Sequence, residues 1–397
     1  MNSPIVQSEA QSTRARFLPF HRPSIGEEEI EAVTAVLRSG WLTTGAEAHA
    51  FEEEFARAVS APHALALNSC TAALHLALEA SGIRAGDEVL VPTMTFAATA
   101  EVVCCLNAKP VLVDCCSDTL NIDPAAAAAA VGPRTRAMIP VHYAGQPADL
   151  DALAMLARQR GLALIEDAAH AFPAAWRGRP IGSHGNLTCF SFYATKNIST
   201  GEGGMVTGFD EEAMRRMRRM SLHGISHDAW KRYTAEGSWF YEIEDAGYKY
   251  NLTDIAAALG RVQLRRATAM RARRRMLADS YAAALSDLEA VEIPRAQPDS
   301  EHAWHLYPIR LRLEQLRLDR AAFIAELRAL NIGASVHFIP LHLHPFYRRQ
   351  GWRPEQFPVA SREFARLISL PLYSEMTDQD LERVAHAVRD IAQRFRR

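Results

Sequence analysis

Between residues 25 and 210, short apolar runs alternate with amphipathic stretches, and this rhythm constrains the fold more than any other feature of the 397-residue chain. The runs HALAL, EVLVP, PVLVD, AMIPV and LALIED are each too short for a helix, and helix-compatible segments such as TAALHLALEA and DLDALAMLARQRG separate them. Such alternation predicts βαβ units, hence an α/β fold with a mainly parallel central sheet and helices on both faces. Ligands in sheets of this kind sit beyond the carboxyl ends of the strands, so the residues that end each run are the candidates for chemistry. Upstream, EEEIEAVTAVLRSG predicts a helix with Ile30, Val33 and Leu37 on one face, stopped at Gly40.

A second regime begins near Asn251. NLTDIAAALGRVQLRRATAMRARRRMLADSYAAALSDL predicts one long helix, WHLYPIRL alternates like a strand, and DRAAFIAELRALNIG and DQDLERVAHAVRDIAQRFRR predict two further helices. These form a smaller C-terminal α+β domain. The expected division is 1–262 and 263–397, in keeping with about 150 residues per domain.

Composition narrows the function. Hydrophobic residues at 48% exclude a disordered chain, and Lys+Arg 44 against Asp+Glu 46 excludes nucleic-acid binding through bulk positive charge. An anionic ligand must therefore be met by local geometry. The start, MNSPIVQSEAQSTRARF, has no apolar run of signal-peptide type, and no stretch reaches the ~20 apolar residues of a membrane span, so a cytoplasmic protein with no membrane partner is expected. Six cysteines without a CxxC read as free thiols. His342 and His344 lack a carboxylate at ligand spacing, so no metal is expected. The basic run MRRMRRM at 214–220 reads as a solvated helix face rather than a diphosphate site.

Three local patterns carry chemistry. In CFSFYATKNISTGEGGMV, residues 189–206, an apolar run ends at Tyr193 and Lys196 follows in a Gly-rich turn before a second apolar run. A lysine desolvated between two core strands has a lowered pKa and a nucleophilic amine. In LALIEDAAHA a buried strand ends in Glu166 and Asp167, and a carboxylate there needs a partner. In ALNSCTAALHLAL a strand runs into Ser69, Cys70 and Thr71 at the start of a helix, where backbone N–H groups and hydroxyls make a phosphate site without net charge.

These motifs, with FLPFHRPSIGEEEI, SGWLTTG, PVHYAGQPADL, GYKYNLTDIAAALG, SVHFIPLHLHPFY and SLPLYSEMT in order along nearly the whole chain, resemble the DegT-type nucleotide-sugar aminotransferase family, fold-type-I pyridoxal phosphate enzymes. The resemblance implies that Lys196 is the Schiff-base lysine and that Asp167 pairs with the ring nitrogen of pyridoxal 5'-phosphate. Ser191 and the turn Ser69, Cys70, Thr71 and Ala72 would bind the cofactor phosphate, Phe96 would stack on the ring, and His170 would lie near the ring hydroxyl. GEGG, lacking the Lys-Ser/Thr of a nucleotide P-loop, reads as a turn that lets backbone pass close to the cofactor. His223, Trp304, His337 and Phe338 are candidates for the sugar pocket, with core packing an equal alternative.

One departure stands out. Many members carry Gly-x-Asn-x-Arg on the segment that reaches the neighbouring subunit's phosphate site, whereas this chain reads GYKYNLT, placing Lys249 and Asn251 there. The same version occurs in the branch that makes UDP-4-amino-4-deoxy-arabinose; either Lys249 or Asn251 would make the contact, in a homodimer with shared active sites. The implied reaction moves an amino group from a donor, glutamate, to a nucleotide-linked 4-keto sugar, with Lys196 shuttling the proton. The lysine also argues against the family's dehydratases, in which histidine replaces it. The alternatives are a lyase, a racemase, a free amino-acid aminotransferase, or a non-catalytic sugar-nucleotide sensor.

Overall fold

The computed structural model describes residues 16–225 and 241–397; most of the N-terminal stretch read for a signal peptide lies outside them. Each expected apolar run becomes a strand: β1 (His63–Leu67), β2 (Glu88–Pro92), β3 (Lys109–Val113), β4 (Thr135–Met138) and β5 (Ala163–Asp167). Two short strands, β6 (Ala175–Trp176) and β7 (Arg179–Pro180), precede β8 (Leu187–Ser191) and β9 (Gly204–Gly208). The main sheet has the order β1-β9-β8-β5-β4-β2-β3, and β9 alone runs against the others. Its covering helices are α1 (Glu27–Ser39), α2 (Ala46–Ala58), α3 (Cys70–Ala80), α4 (Ala98–Cys105), α5 (Pro124–Ala130), α6 (Leu150–Arg160) and α7 (Glu211–Met220). The β5 and β8 ends therefore lie side by side, with the β1 turn beyond β9, which brings the three chemical motifs to one edge of the sheet.

The long helix α8 (Asp254–Leu285) is continuous through residue 262. Its first half packs Ala257, Ala267 and Met270 beside Phe51 and Phe55 of α2. Its second half buries Leu277, Tyr281 and Leu285 in a separate core. That core is closed by β10 (Val291–Glu292), β12 (Tyr307–Leu311), β13 (Leu367–Leu370), α9 (Arg320–Ala329) and α12 (Asp378–Arg394), while β11 (Ser300–Glu301) pairs back onto β6. The short helices α10 (Pro345–Arg349) and α11 (Pro358–Arg366) complete the chain. Leu18 joins this second core and pairs with Ile332, so the N-terminal segment is a strap from the small sheet toward the large one.

Helix α1 forms where expected but turns the other way. Ile30 is 51% and Leu37 53% exposed, whereas Glu29 is buried against α8. The reason is polar: the Glu29 carboxylate accepts from the Gly26 N–H, the Gln263 amide and Arg266, and that satisfied cluster fixes the inward face. In α7, Met214, Met217 and Met220 are buried, and the arginines are engaged in ion pairs: Arg216 with Glu79, Arg218 with Glu52, Arg219 with Glu244.

Candidate active site

The two carboxylates at the end of β5 point to opposite faces, as strand geometry requires. Asp167 is 5% exposed and faces a cavity of about 610 Å³. The Thr99 hydroxyl, at the start of α4, donates to its Oδ2 at 2.8 Å, and the Ala169 N–H donates to Oδ1 at 3.1 Å. Thr95 Oγ1 lies 2.7 Å from Thr99 Oγ1; because the Thr99 proton is committed to the carboxylate, Thr95 is the donor of that pair. Burial pushes the Asp167 carboxyl above its ordinary value, and these donors with Lys196 only partly hold it back.

Glu166, on the opposite face, is fully buried. His142 Nδ1 accepts the Ala148 N–H at 3.0 Å, so Nε2 carries the proton and donates to Glu166 at 3.0 Å, beside the Asn186 amide at 2.8 Å. Burial alone would raise this carboxyl, but the His142 and Asn186 bonds outweigh it and leave it below the usual range. The His142 backbone also donates to the Asp167 carbonyl at 3.1 Å. Side chain and backbone together staple the strand end that aims Asp167.

Lys196 sits in the β8–β9 loop, in a turn closed by its own N–H on the Tyr193 carbonyl at 2.8 Å. Its amine opens onto the same cavity, and burial pulls it down to about 8 against the opposing pull of Asp167 and Cys70. The phosphate turn lies at the cavity's other end. Ser69 caps α3 by accepting the Ala72 N–H at 3.1 Å, which leaves the first N–H groups of the helix directed at the cavity mouth. The turn rests directly on β9: a Cβ at Gly204 would come within 2.4 Å of the Ser69 carbonyl carbon and 2.5 Å of Cys70 N, so only glycine admits this approach. The Cys70 thiol points away, donating to the Cys189 carbonyl at 3.6 Å.

The remaining wall comes from distant segments. Phe20 and His21 arrive on the N-terminal strap, His305 before β12, and His337 and Phe338 after α9; all line the cavity. Phe20 stacks on His337 at 5.2 Å, and Phe338 stacks on His170 at 5.7 Å and packs against Phe96 at 5.9 Å. Burial, reinforced by other nearby charges, lowers His21 and His337 to about 4 and His170 and His305 well below the ordinary value, so all four are neutral at pH 7. Among the described lining residues Lys196 is the only lysine or arginine.

Of the residues singled out from sequence, Ser69, Cys70, Thr71, Phe96, Asp167, His170, Ser191, Lys196, His337 and Phe338 line this one cavity. Ala72 lies behind the turn as the donor to Ser69. Lys249 and Asn251 do not line it: Lys249 is exposed, its carbonyl held by the Asn68 amide, and Asn251 donates to Thr44 at 2.7 Å. His223 and Trp304 are also absent from the wall; Trp304 is buried and stacked on His302. His342 is buried, bonded to Thr93 just after β2 and to Ser361 on α11. Sequence reasoning missed Phe20, His21, Thr95, Thr99, Tyr193, Glu202 and His305. Thr99 had a signal, a hydroxyl in the first turn after a strand end, Tyr193 ends an apolar run and Glu202 lies in the GEGG turn; Phe20, His21 and His305 had none.

The set fits pyridoxal phosphate on its chemistry. A half-buried amine and a buried carboxylate share a cavity with a helix N-terminus whose Gly204 cradle a single Cβ would fill. Lys196 would carry the cofactor, Asp167 would hold the ring nitrogen protonated, and Ser69, Thr71 and Ser191 would take the phosphate. When bound, the cofactor supplies an electron-withdrawing ring. Asp167 would orient it, and Lys196 Nζ would hold or give up the transferred proton.

Comparison with known proteins agrees over nearly the whole chain. SpsC of Bacillus subtilis, a spore coat polysaccharide biosynthesis protein, is 49% identical over 380 residues, 95% of this chain and 98% of its own. Spr1654 of Streptococcus pneumoniae, solved in a PMP form, superposes with a TM-score of 0.90 at 33% identity, covering 95% of this chain and 99% of its own; it is also known in a PLP form. The sugar aminotransferase CalS13 of Micromonospora echinospora gives 0.85 at 30% identity, covering 94% and 99%. Residues 23–389 match the sequence profile of one family throughout, and the chain belongs to it: the DegT/DnrJ/EryC1/StrS aminotransferase family.

Proposed function

We propose that the protein transfers an amino group from glutamate to a nucleotide-linked 4-keto sugar, UDP- or dTDP-linked, giving an amino sugar for cell-surface polysaccharide, lipid A or natural-product biosynthesis. The observation that carries this reading is the pairing of Lys196 and Asp167 across one cavity whose far wall is aromatic and neutral. An amine poised near neutral pH and a carboxylate for the ring nitrogen suit transamination, and the wall of neutral imidazoles and phenyl rings suits a sugar more than a second fixed charge. The likeness to SpsC and CalS13 supports a sugar acceptor.

The reading includes a cytoplasmic homodimer whose subunits complete each other's sites, and a cofactor domain of residues 1–262 closed by residues 263–397. Lys196, the only lysine or arginine among the described lining residues, would be taken up in bonding the cofactor, so a phosphate needs help from outside the cavity, and the exposed Lys249 is available to a second copy. The exposed apolar face of α1, with Ile30 and Leu37, offers surface for that contact. Incubation with glutamate and a panel of UDP- and dTDP-linked 4-keto sugars tests the reaction: 2-oxoglutarate should appear only when a keto sugar nucleotide is present. Release of 2-oxoglutarate with free keto acids alone would sink the sugar assignment. Sedimentation of an active species at the monomer mass would sink the shared site.

A further inference from the structure

The turn that carries Lys196 is held from outside by the N-terminal strap. Its closing bond runs from the Lys196 N–H to the Tyr193 carbonyl, so Ala194–Thr195 is its central peptide, the unit whose rotation separates one turn type from another. The carbonyl oxygen of that peptide, on Ala194, lies 3.1 Å from His21 Nε2. A carbonyl only accepts, so Nε2 carries the proton and donates it, and in the neutral ring Nδ1 is bare. Tyr373 braces the imidazole edge-on, with ring centroids 6.1 Å apart.

A second tie runs through Gln263 on α8. Its amide nitrogen donates to the Ser24 carbonyl and to Glu29, both at 2.7 Å, which settles the amide orientation; its oxygen accepts the Ser199 N–H at 3.3 Å. The strap is in turn fixed to the segment after α9. The Leu18 N–H donates to the Asn331 carbonyl at 2.9 Å, and the Gly333 N–H donates to the Leu18 carbonyl at 2.8 Å. A Cβ at Gly333 would come within 2.8 Å of Phe20 N, so the two backbones pass in direct contact. Residues 18–24 thus connect the second core to the lysine loop at two points, Ala194 directly and Ser199 through Gln263.

Resting on the assignment of Lys196 as the cofactor-bearing amine, we propose that His21 is a positioning residue for Lys196: its Nε2–H fixes the central peptide of the turn and so aims the amine into the cavity. His21 makes and breaks no covalent bond. It selects the one turn geometry in which Lys196 is presented, and the strap carries that restraint from the second core.

Covalent capture of pyridoxal phosphate by apo-protein tests this with neither sugar nor amino donor, so the outcome leaves the substrate reading untouched. Borohydride reduction and peptide mass spectrometry locate the captured cofactor; a label away from Lys196 would overturn the assignment of that lysine, whatever His21 does. His21→Leu removes the donor and should slow capture about fivefold, the worth of one hydrogen bond. Its affinity for pyridoxine 5'-phosphate, which has no aldehyde to bond the lysine, should stay unchanged. His21→Gln keeps a side-chain N–H at similar reach and should restore capture to within about twofold. Capture by His21→Leu at the unaltered rate, or by His21→Gln as slowly as by His21→Leu, overturns the proposal. So does a parallel loss of pyridoxine 5'-phosphate affinity, which would mark a packing defect. Nitrogen-15 NMR of histidine-labelled, unaltered apo-protein needs no variant to fold. It should show His21 protonated at Nε2 with Nδ1 bare, and protonation at Nδ1 would equally overturn it.

Discussion

The two ends of the cavity are built on different principles. At the ring end, Asp167 is buried and both its oxygens are occupied, by Thr99 and the Ala169 N–H, with Thr95 behind Thr99 and the His142–Glu166 pair fixing the strand. At the proposed phosphate end, Ser69 and Ser191 offer hydroxyls and a helix N-terminus, with no arginine or second lysine among the described lining residues. The electronic control of the reaction is thus enclosed by one chain. Anchoring is left to partial charges and, in the proposed dimer, to the neighbour. Rate should therefore respond to the ring end and cofactor affinity to the phosphate end.

The largest expected effect is that of Lys196→Ala, which should abolish the visible band of the bound cofactor and lower transamination by roughly 10³-fold or more, measured by stopped-flow absorbance. Asp167→Asn comes next. An amide cannot hold the ring nitrogen protonated, and kcat should fall on the order of 10²-fold with cofactor still bound. Thr99→Val removes one hydrogen bond to the ionised carboxylate and should cost about tenfold in kcat. Because that bond favours the charged form, its loss raises the Asp167 carboxyl further, so the deficit should grow as pH falls, a trend a pH–rate profile would reveal. Ser69→Ala should have the smallest effect, about fivefold weaker cofactor binding by titration and an unchanged rate at saturation. If Ser69→Ala slowed the saturated rate as much as Thr99→Val, the division between the two ends would be wrong.

Much of this cavity was legible because its chemistry is local. Lys196, Asp167 and the Ser69 turn each follow a strand at short range, and βαβ topology brings such ends to one edge. The wall was not legible. Phe20 and His337, or Asn197 and His305, meet across more than a hundred residues, and no period in the sequence records such a meeting. Helix α1 shows the same limit. Its apolar spacing correctly predicts a helix, but Glu29 found Gln263 and Arg266 more than two hundred residues away, and that polar cluster turned Ile30 and Leu37 outward. The boundary expected near residue 262 falls inside α8, which passes through it unbroken, with each half in a different core.

By itself, then, the sequence determined the α/β sheet, its strand ends and most of the candidate residues that gather there, because hydrophobic period and strand termination are properties of neighbouring residues. Only the tertiary structure decided which hydroxyl holds Asp167, which nitrogen of His142 and His21 bears the proton, and which face of α1 is bare. Those outcomes depend on hydrogen-bond partners supplied by distant segments, and a buried polar group takes the orientation that satisfies it.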